Sequence, residues 1–224
     1  MQWLIKGVVV VISLVVIWFA SQWGIANVYY FTVYNKLTAW EKQSDSLSLE
    51  QLDELGNAVD GMLSYHPDHP HYLVTAAKWQ EWYAFYYYGQ DELADSYLEQ
   101  ALAYYQQSAA LRPSWPETWI NMITIKVRLD AFDSELQEYM QQATQMGPYN
   151  EHVNLGIAKV FLYNWRKFNA EMAALGLTHV ERTLQSNNVF ELYNYAKLTG
   201  RQGLLCQLIE VKQFELNAEL PCAG

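Results

Sequence analysis

The sequence predicts an all-α chain in which an N-terminal transmembrane helix leads into stacked antiparallel helix pairs. Three observations carry that expectation. Lys6 is the only charged residue before Lys36, so 29 consecutive positions from Gly7 to Asn35 carry no charge. From Leu47 onward apolar residues recur at three- and four-residue spacing, with no sustained alternation of period two. Two helix stops, Pro113 and Pro148, lie 35 residues apart, close to the tetratricopeptide period of about 34.

Composition narrows the function classes. The 224 residues are 51% hydrophobic and 17% charged, with 11 Gly and 6 Pro, which excludes a disordered or collagen-like chain. Lys and Arg number 14 against 24 Asp and Glu, a net charge of −10. A nucleic-acid binder needs a basic face, so nucleic acid is not among the expected partners. Two cysteines are too few for a disulfide framework or a four-thiolate zinc site. Half the residues are apolar, yet mean hydropathy is only −0.14, so the apolar side chains must be unevenly placed.

They concentrate at the N-terminus. Gly7 to Ala20 reads GVVVVISLVVIWFA, with Ser13 its one polar residue. That stretch alone makes about 21 Å of helix, and residues 3–25 complete a membrane span of about 30 Å. Trp3, Trp18, Trp23, Tyr29 and Tyr30 lie toward its ends, where amphipathic rings favour the interface. A cleaved signal peptide is the competing reading, with Gly24 and Ala26 as the small residues before a cut at Asn27. Cuts nearer the apolar run place Trp18 or Phe19 at the −3 position, which favours an uncleaved anchor. A buried core helix is the third reading. A very short N-terminal tail implies an N-in orientation, with the chain after residue 30 outside the cytoplasm.

All 24 acids and 13 of the 14 bases lie beyond the span, so the remainder carries 13 − 24 = −11. Anionic headgroups repel such a domain, which is expected to stand off the membrane. The expected organisation is an anchor and juxtamembrane segment at 1–35, a helical-repeat domain at 36–217 and a tail at 218–224.

Within the domain, Leu49, Leu52, Leu55, Val59, Met62 and Leu63 share one helix face, opened by Ser48 with Glu50 and Gln51. Asp68 or Pro70 starts a second helix that runs to about Tyr88, where Gly89 stops it. A third covers about Asp91 to Leu111 before Pro113. Ser114 is expected to cap a fourth, with Pro116 near its first position and Glu117 in its first turn, ending near Leu129. A fifth follows from about Asp133 to Met146, before Gly147-Pro148. Residues 151–163, 166–185, 188–199 and 202–217 continue the pattern.

The repeat shows in specific positions. Ala101 and Ser108 are small residues that let helices approach, and Tyr105 is the aromatic that fills the gap between them. Trp119 and Met122 match the first half of the W-x-x-L-G element, Leu155-Gly156 the second half. Glu135 departs from the pattern, standing where a small residue is expected. These matches point to a tetratricopeptide-like right-handed superhelix, in which each pair buries its apolar face only by stacking on its neighbours.

Chemistry is sparse. Tyr65-His66-Pro67-Asp68-His69-Pro70-His71 gathers three His and one Asp, which is either a metal site or a helix junction with capping polar groups; the two prolines favour the junction. There is no GxSxG, HExxH or GxxxxGK[ST] motif. The chain is read as non-enzymatic, with no catalytic residue, metal ligand or cofactor assigned. Cys206 and Cys222 either pair, if the domain is extracytoplasmic, or Cys206 is a small core residue. The run Trp79 to Tyr88 places rings on more than one helix face. Trp79, Trp82, Tyr86, Trp115 and Trp119 are candidates for a partner or glycan surface, against the alternative of a bulky inter-repeat core.

Residues Ala109-Ala-Leu-Arg-Pro-Ser-Trp-Pro-Glu-Thr-Trp119 and Met146-Gly-Pro-Tyr-Asn-Glu-His-Val153, followed by Asn164-Trp165, resemble elements of the VpsP-type polysaccharide biosynthesis proteins of Gram-negative bacteria. The resemblance covers about residues 95–170, with the anchor by analogy. It implies a single-pass inner-membrane protein with a periplasmic helical domain, serving exopolysaccharide or envelope polysaccharide biosynthesis and export. Its implied partners are other proteins of that assembly, or the glycan itself. No catalytic residues carry over.

Overall fold

A 41-residue helix opens the chain. The computed structural model describes residues 2–43 and 47–222, and among them are ten helices and no strand. Helix α1 (Gln2–Lys42) runs for about 60 Å at ~1.5 Å per residue. Its first half is long and apolar enough to cross a membrane, and almost all of its side chains are exposed. Two hydroxyls along it bond back to carbonyls of the same helix. Ser21 Oγ donates to the Trp18 carbonyl at 2.7 Å, and Thr32 Oγ1 to that of Val28 at 3.0 Å. The helix does not stop where its uncharged run ends. It continues to Lys42 and buries Ala26, Val33, Leu37 and Trp40.

Contacts divide the chain into two compact units, Met1–Leu111 and Arg112–Gly224. In the first, α1 packs with α2 (Leu49–Tyr65) and α3 (Pro70–Tyr86), and α3 pairs closely with α4 (Asp91–Leu111). Ser48 caps α2 as expected, its hydroxyl accepting from Gln51 N. Leu52, Leu55, Val59 and Met62 form the buried face, while Leu49 and Leu63 pack half-buried at its margin. Gly56 lets the Trp79 ring lie against α2, where its Nε1 donates to the Leu52 carbonyl at 3.0 Å. Tyr105 is fully buried and donates to Glu81 at 2.6 Å. Ser108 Oγ donates to the Pro70 carbonyl at 3.1 Å, so this small residue both admits a neighbouring helix and bonds to it.

The second unit contains α5 (Pro116–Arg128), α6 (Ser134–Met146), α7 (Glu151–Asn164), α8 (Ala170–Leu184), α9 (Val189–Leu198) and α10 (Gln202–Lys212). Sequential helices pair, and α7 packs on both α5 and α9 while α6 packs on α8. Side chains on alternate helices, and at their ends, meet. Glu117 accepts from Asn150, Glu191 pairs with Lys159, Glu151 accepts from Asn188 and Arg201 donates to the Tyr163 carbonyl, at separations of 33, 32, 37 and 38 residues.

Several boundaries differ from the sequence expectation. Trp115, not Ser114, occupies the N-cap of α5, with Pro116 at the first helical position, so no side chain caps that end. α8 starts at Ala170 rather than 166, because Asn169 accepts from Met172 N and fixes the first turn there. α10 ends at Lys212, not 217: Gln213 adopts φ 53 and turns the chain back over the unit. α3 ends at Tyr86, followed by Gly89 at φ +89.

Gly176 on α8 sits against α7. A Cβ there would lie 2.5 Å from Phe161 Cγ and Cδ2 and 2.8 Å from its Cβ. Those atoms are near the Phe161 backbone and cannot swing aside as a side-chain tip would. Alanine gains roughly 1 kcal/mol in helix propensity over glycine, while overpacking costs about 1–3 kcal/mol. Gly176→Ala is therefore expected to destabilise the second unit by up to about 2 kcal/mol, read as a lower thermal midpoint, despite the better helix former.

Candidate functional site

The five candidate aromatics separate by role. In the first unit, Trp79 is half-buried on Gly56 and meets Tyr83 edge-on at 5.1 Å between centroids. Trp82 packs edge-on against Trp40 at 5.7 Å and against Phe85 at 5.4 Å. Tyr86 points outward, 41% exposed, beside Phe85 at 51% and Tyr88 at 89%. In the second unit, the Trp115 ring lies under the Arg112 guanidinium, 3.5 Å from its Cζ. Trp119 is half-buried, its Nε1 donating to the Pro113 carbonyl at 2.8 Å and its ring 5.9 Å from Tyr139. Trp79, Trp82 and Trp119 are thus committed to packing, and the open rings of the run from Trp79 to Tyr88 are Phe85, Tyr86 and Tyr88.

Removing those open rings is expected to leave the fold nearly unchanged. Surface substitutions away from caps and cores stay within about 0.5 kcal/mol. Phe85→Ala with Tyr86→Ala and Tyr88→Ala should keep the circular dichroism spectrum and lower the melting temperature only by the lost edge contacts to Trp82 and Tyr87, whereas Trp79→Ala should lower the melt further.

Beneath the open rings, Tyr83, Tyr97 and Tyr87 form a stack, Tyr97 lying 4.6 Å from Tyr83 and 5.6 Å from Tyr87. Tyr83 donates to Asp53 at 2.5 Å. Burial first, and then the Asp53 carboxylate, hold the Tyr83 phenol above its ordinary range. This is a proton held in place, not one offered for transfer.

Two buried polar groups in the second unit were not marked by any motif. Lys126 is 5% exposed and its ammonium donates to Asp133 at 2.6 Å and Glu135 at 2.8 Å. Burial alone would lower its pKa, yet the two carboxylate bonds raise it above the lysine value. Glu135 falls below its ordinary value through Lys126 and the Tyr139 hydroxyl, which donates to it at 2.6 Å. Asp133 also falls: burial opposes the shift, but Lys126 and the Leu136 amide outweigh it. Glu135, where a small residue is expected, closes the α5–α6 junction around a buried cation.

His179 is fully buried on α8 between Thr144 of α6 and Asn154 of α7. Asn154 Nδ2 donates to the Pro148 carbonyl at 3.4 Å, which turns its Oδ1 toward the imidazole. In the neutral ring, Nδ1–H then donates to Oδ1 at 2.7 Å and Nε2 accepts from the Thr144 hydroxyl at 2.8 Å. Burial, with a smaller push from Arg182, lowers its pKa to about 4. The ring is a neutral tie between three helices.

His66, His69 and His71 pack as rings. His69 lies 4.2 Å from Tyr72, 5.2 Å from His66 and 5.8 Å from His71, and Trp23 meets His66 at 5.5 Å. Among the described residues, no group of three or more His, Cys, Asp or Glu gathers so as to hold a metal ion.

No model of a known protein family matches the sequence, and no curated protein matches it. Cys206 and Cys222 are bonded to each other, with Cα atoms 5.4 Å apart, and hold the tail against α10.

Proposed function

We propose that this chain is a membrane-anchored, non-enzymatic accessory protein whose tetratricopeptide-like helix pairs hold other proteins of an exopolysaccharide or envelope polysaccharide assembly and export system. The observation that carries the scaffold half of this reading is the unbroken α1, whose exposed apolar half leads directly into paired helices. The polysaccharide half rests on the resemblance of residues 95–170. The Cys206–Cys222 bond favours an oxidising compartment, so the helical units are assigned to the periplasm, with α1 as a single pass through the bacterial inner membrane. A second reading, a glycan-binding module, is favoured by the open rings of Phe85, Tyr86 and Tyr88.

The test is a clean deletion in the native host, followed by quantification of surface polysaccharide. Loss of polysaccharide, restored by the full chain, is the expected result. Unchanged polysaccharide would overturn the pathway. The Phe85→Ala, Tyr86→Ala, Tyr88→Ala variant separates the two readings: retained binding to the purified polysaccharide by the intact chain, lost in this variant, would select the glycan module.

A further inference from the structure

The first unit has two chemically different ends. Tyr29 stacks on Tyr65 at 6.2 Å, Trp23 meets His66 at 5.5 Å, and Tyr72 donates to Asn27 Oδ1 at 3.0 Å. These contacts place the α2–α3 turn beside residues 23–30 of α1, where the apolar span ends. Ser108 bonds to the Pro70 carbonyl, which brings the C-terminal end of α4 to the same level. At the other end, Trp40 meets Trp82 and Tyr97 stacks on Tyr83.

Charge follows that axis. Twelve acids lie between residues 41 and 99, yet between Gly61 and Ala77 the only one is Asp68. From Gln100 to Leu111 there is no charged residue, and α1 has none from Gly7 to Asn35. All the segments that meet at the span end are therefore depleted of full charge, and they carry Tyr and His rings instead. On the free side of α1, Val28 is 68% and Phe31 55% exposed, beyond the span and on the face turned away from α2. An acidic domain standing off the bilayer would have no use for such an end.

We propose that the first unit is seated in the bilayer that α1 spans, with its α2–α3 turn and the end of α4 in the headgroup layer and Val28 and Phe31 touching lipid. This rests on reading α1 as a membrane span. Its occupant is the phospholipid interface, argued from continuity with the span and from the missing charge. Tyr, Trp and His suit that layer because each has an apolar body and a polar tip. The net repulsion of the whole domain does not oppose this, because exposed charges more than a Debye length away, about 8 Å at physiological salt, are largely screened.

The experiment uses the full chain, with its native disulfide intact, in vesicles of phosphatidylcholine and phosphatidylglycerol. An environment-sensitive NBD fluorophore is coupled to single cysteines introduced as Ser64→Cys, Ala110→Cys, Tyr88→Cys or Val11→Cys. The expected result is blue-shifted emission at Ser64 and Ala110, quenched by headgroup nitroxide lipids, with Tyr88 unquenched. Val11 should be quenched by acyl-chain nitroxides. If Val11 is quenched while Ser64 and Ala110 behave like Tyr88, the seating is wrong and the span stands. If Val11 is not quenched, the span itself fails and the seating with it. Blue-shifted emission without lipid quenching at Ser64 and Ala110 would mean that protein, not lipid, covers this end, and would also overturn the proposal. Lipid quenching at only one of the two positions would do the same.

Discussion

Replacing His179 by leucine is expected to weaken the second unit by about 1–3 kcal/mol at pH 7.5 and to abolish its sensitivity to mild acid. The first effect is local. Leucine fills much of the space but leaves Asn154 Oδ1 facing an apolar side chain, and a buried acceptor left unpaired costs about 1–3 kcal/mol. Thr144 is less affected, because its hydroxyl also lies 2.6 Å from the Met140 carbonyl and can donate there. Three helices lose their common tie, so hydrogen exchange should accelerate in α6, α7 and α8 together. Acceleration confined to α8 would show that the imidazole does not couple them.

The acid effect has a definite sign and window. His179 ordinarily titrates near 6.5 and is held at about 4 in the folded chain, chiefly by burial. The unfolded chain therefore takes up this proton first. Stability from keeping the ring neutral is fully present above pH 6.5, and falls as pH drops from 6.5 toward 4. The maximal loss is about 3 kcal/mol, at ~1.4 kcal/mol per tenfold difference in proton affinity. Hydrogen bonding does not cause the shift. A protonated ring could still donate to Asn154 and Thr144, with Thr144 donating onward to Met140, so the cost is that of burying charge. Asp133 and Glu135, with lowered pKa values, contribute stability that is lost only at more acid pH as they protonate. Urea titrations at pH 7.5, 5.5 and 4.5, read by exchange in α7 and α8, should thus show falling stability in the unaltered chain and a nearly flat response in His179→Leu. Parallel slopes would exclude His179 as the source.

Much of the fold was legible because it depends on local rules. Pro116, Gly89 and Asp133 set helix limits through φ or a cap, and Ala101, Tyr105 and Ser108, read as packing positions from their size, are all buried. The positions that misled are those where a competing partner wins. Ser114 looked like a cap, but Trp115 takes that place while its ring packs under Arg112. The end of α10 could not be read from periodicity, because Gln213 turns at a left-handed angle that favours glycine in sequence terms. The candidate aromatics were found as a run, but which rings stay open depends on Trp40, 42 positions before Trp82, and on Gly56 beneath Trp79. His179 and Lys126 carry no sequence signal at all: their partners lie on other helices or around a junction, at distances set only by packing.

Breaking the Cys206–Cys222 bond, as the Cys206→Ser, Cys222→Ser double variant, is expected to cost about 3 kcal/mol, the chain-entropy value for a loop of about 15 residues. The two cysteines are 16 residues apart. The loop they close is not a loose appendage. Its turn at Gln213 carries Phe214, Ala218 and Leu220 back onto the core of Leu155, Leu184, Leu192 and Leu205. Asn217 N donates to the Leu184 carbonyl at 2.9 Å, capping α8, and Tyr193 donates to the Pro221 carbonyl at 3.1 Å. Removing the bond should therefore loosen the end of α8 and all of α9 and α10, while α1 to α4 keep their protection. If protection falls equally in both units, the bond acts through something other than the tail. The same contrast bears on compartment: expression in a reducing cytoplasm should give a chain with the exchange pattern of the double variant, and the oxidised pattern there would argue that packing of Phe214 and Leu220 alone holds the tail down.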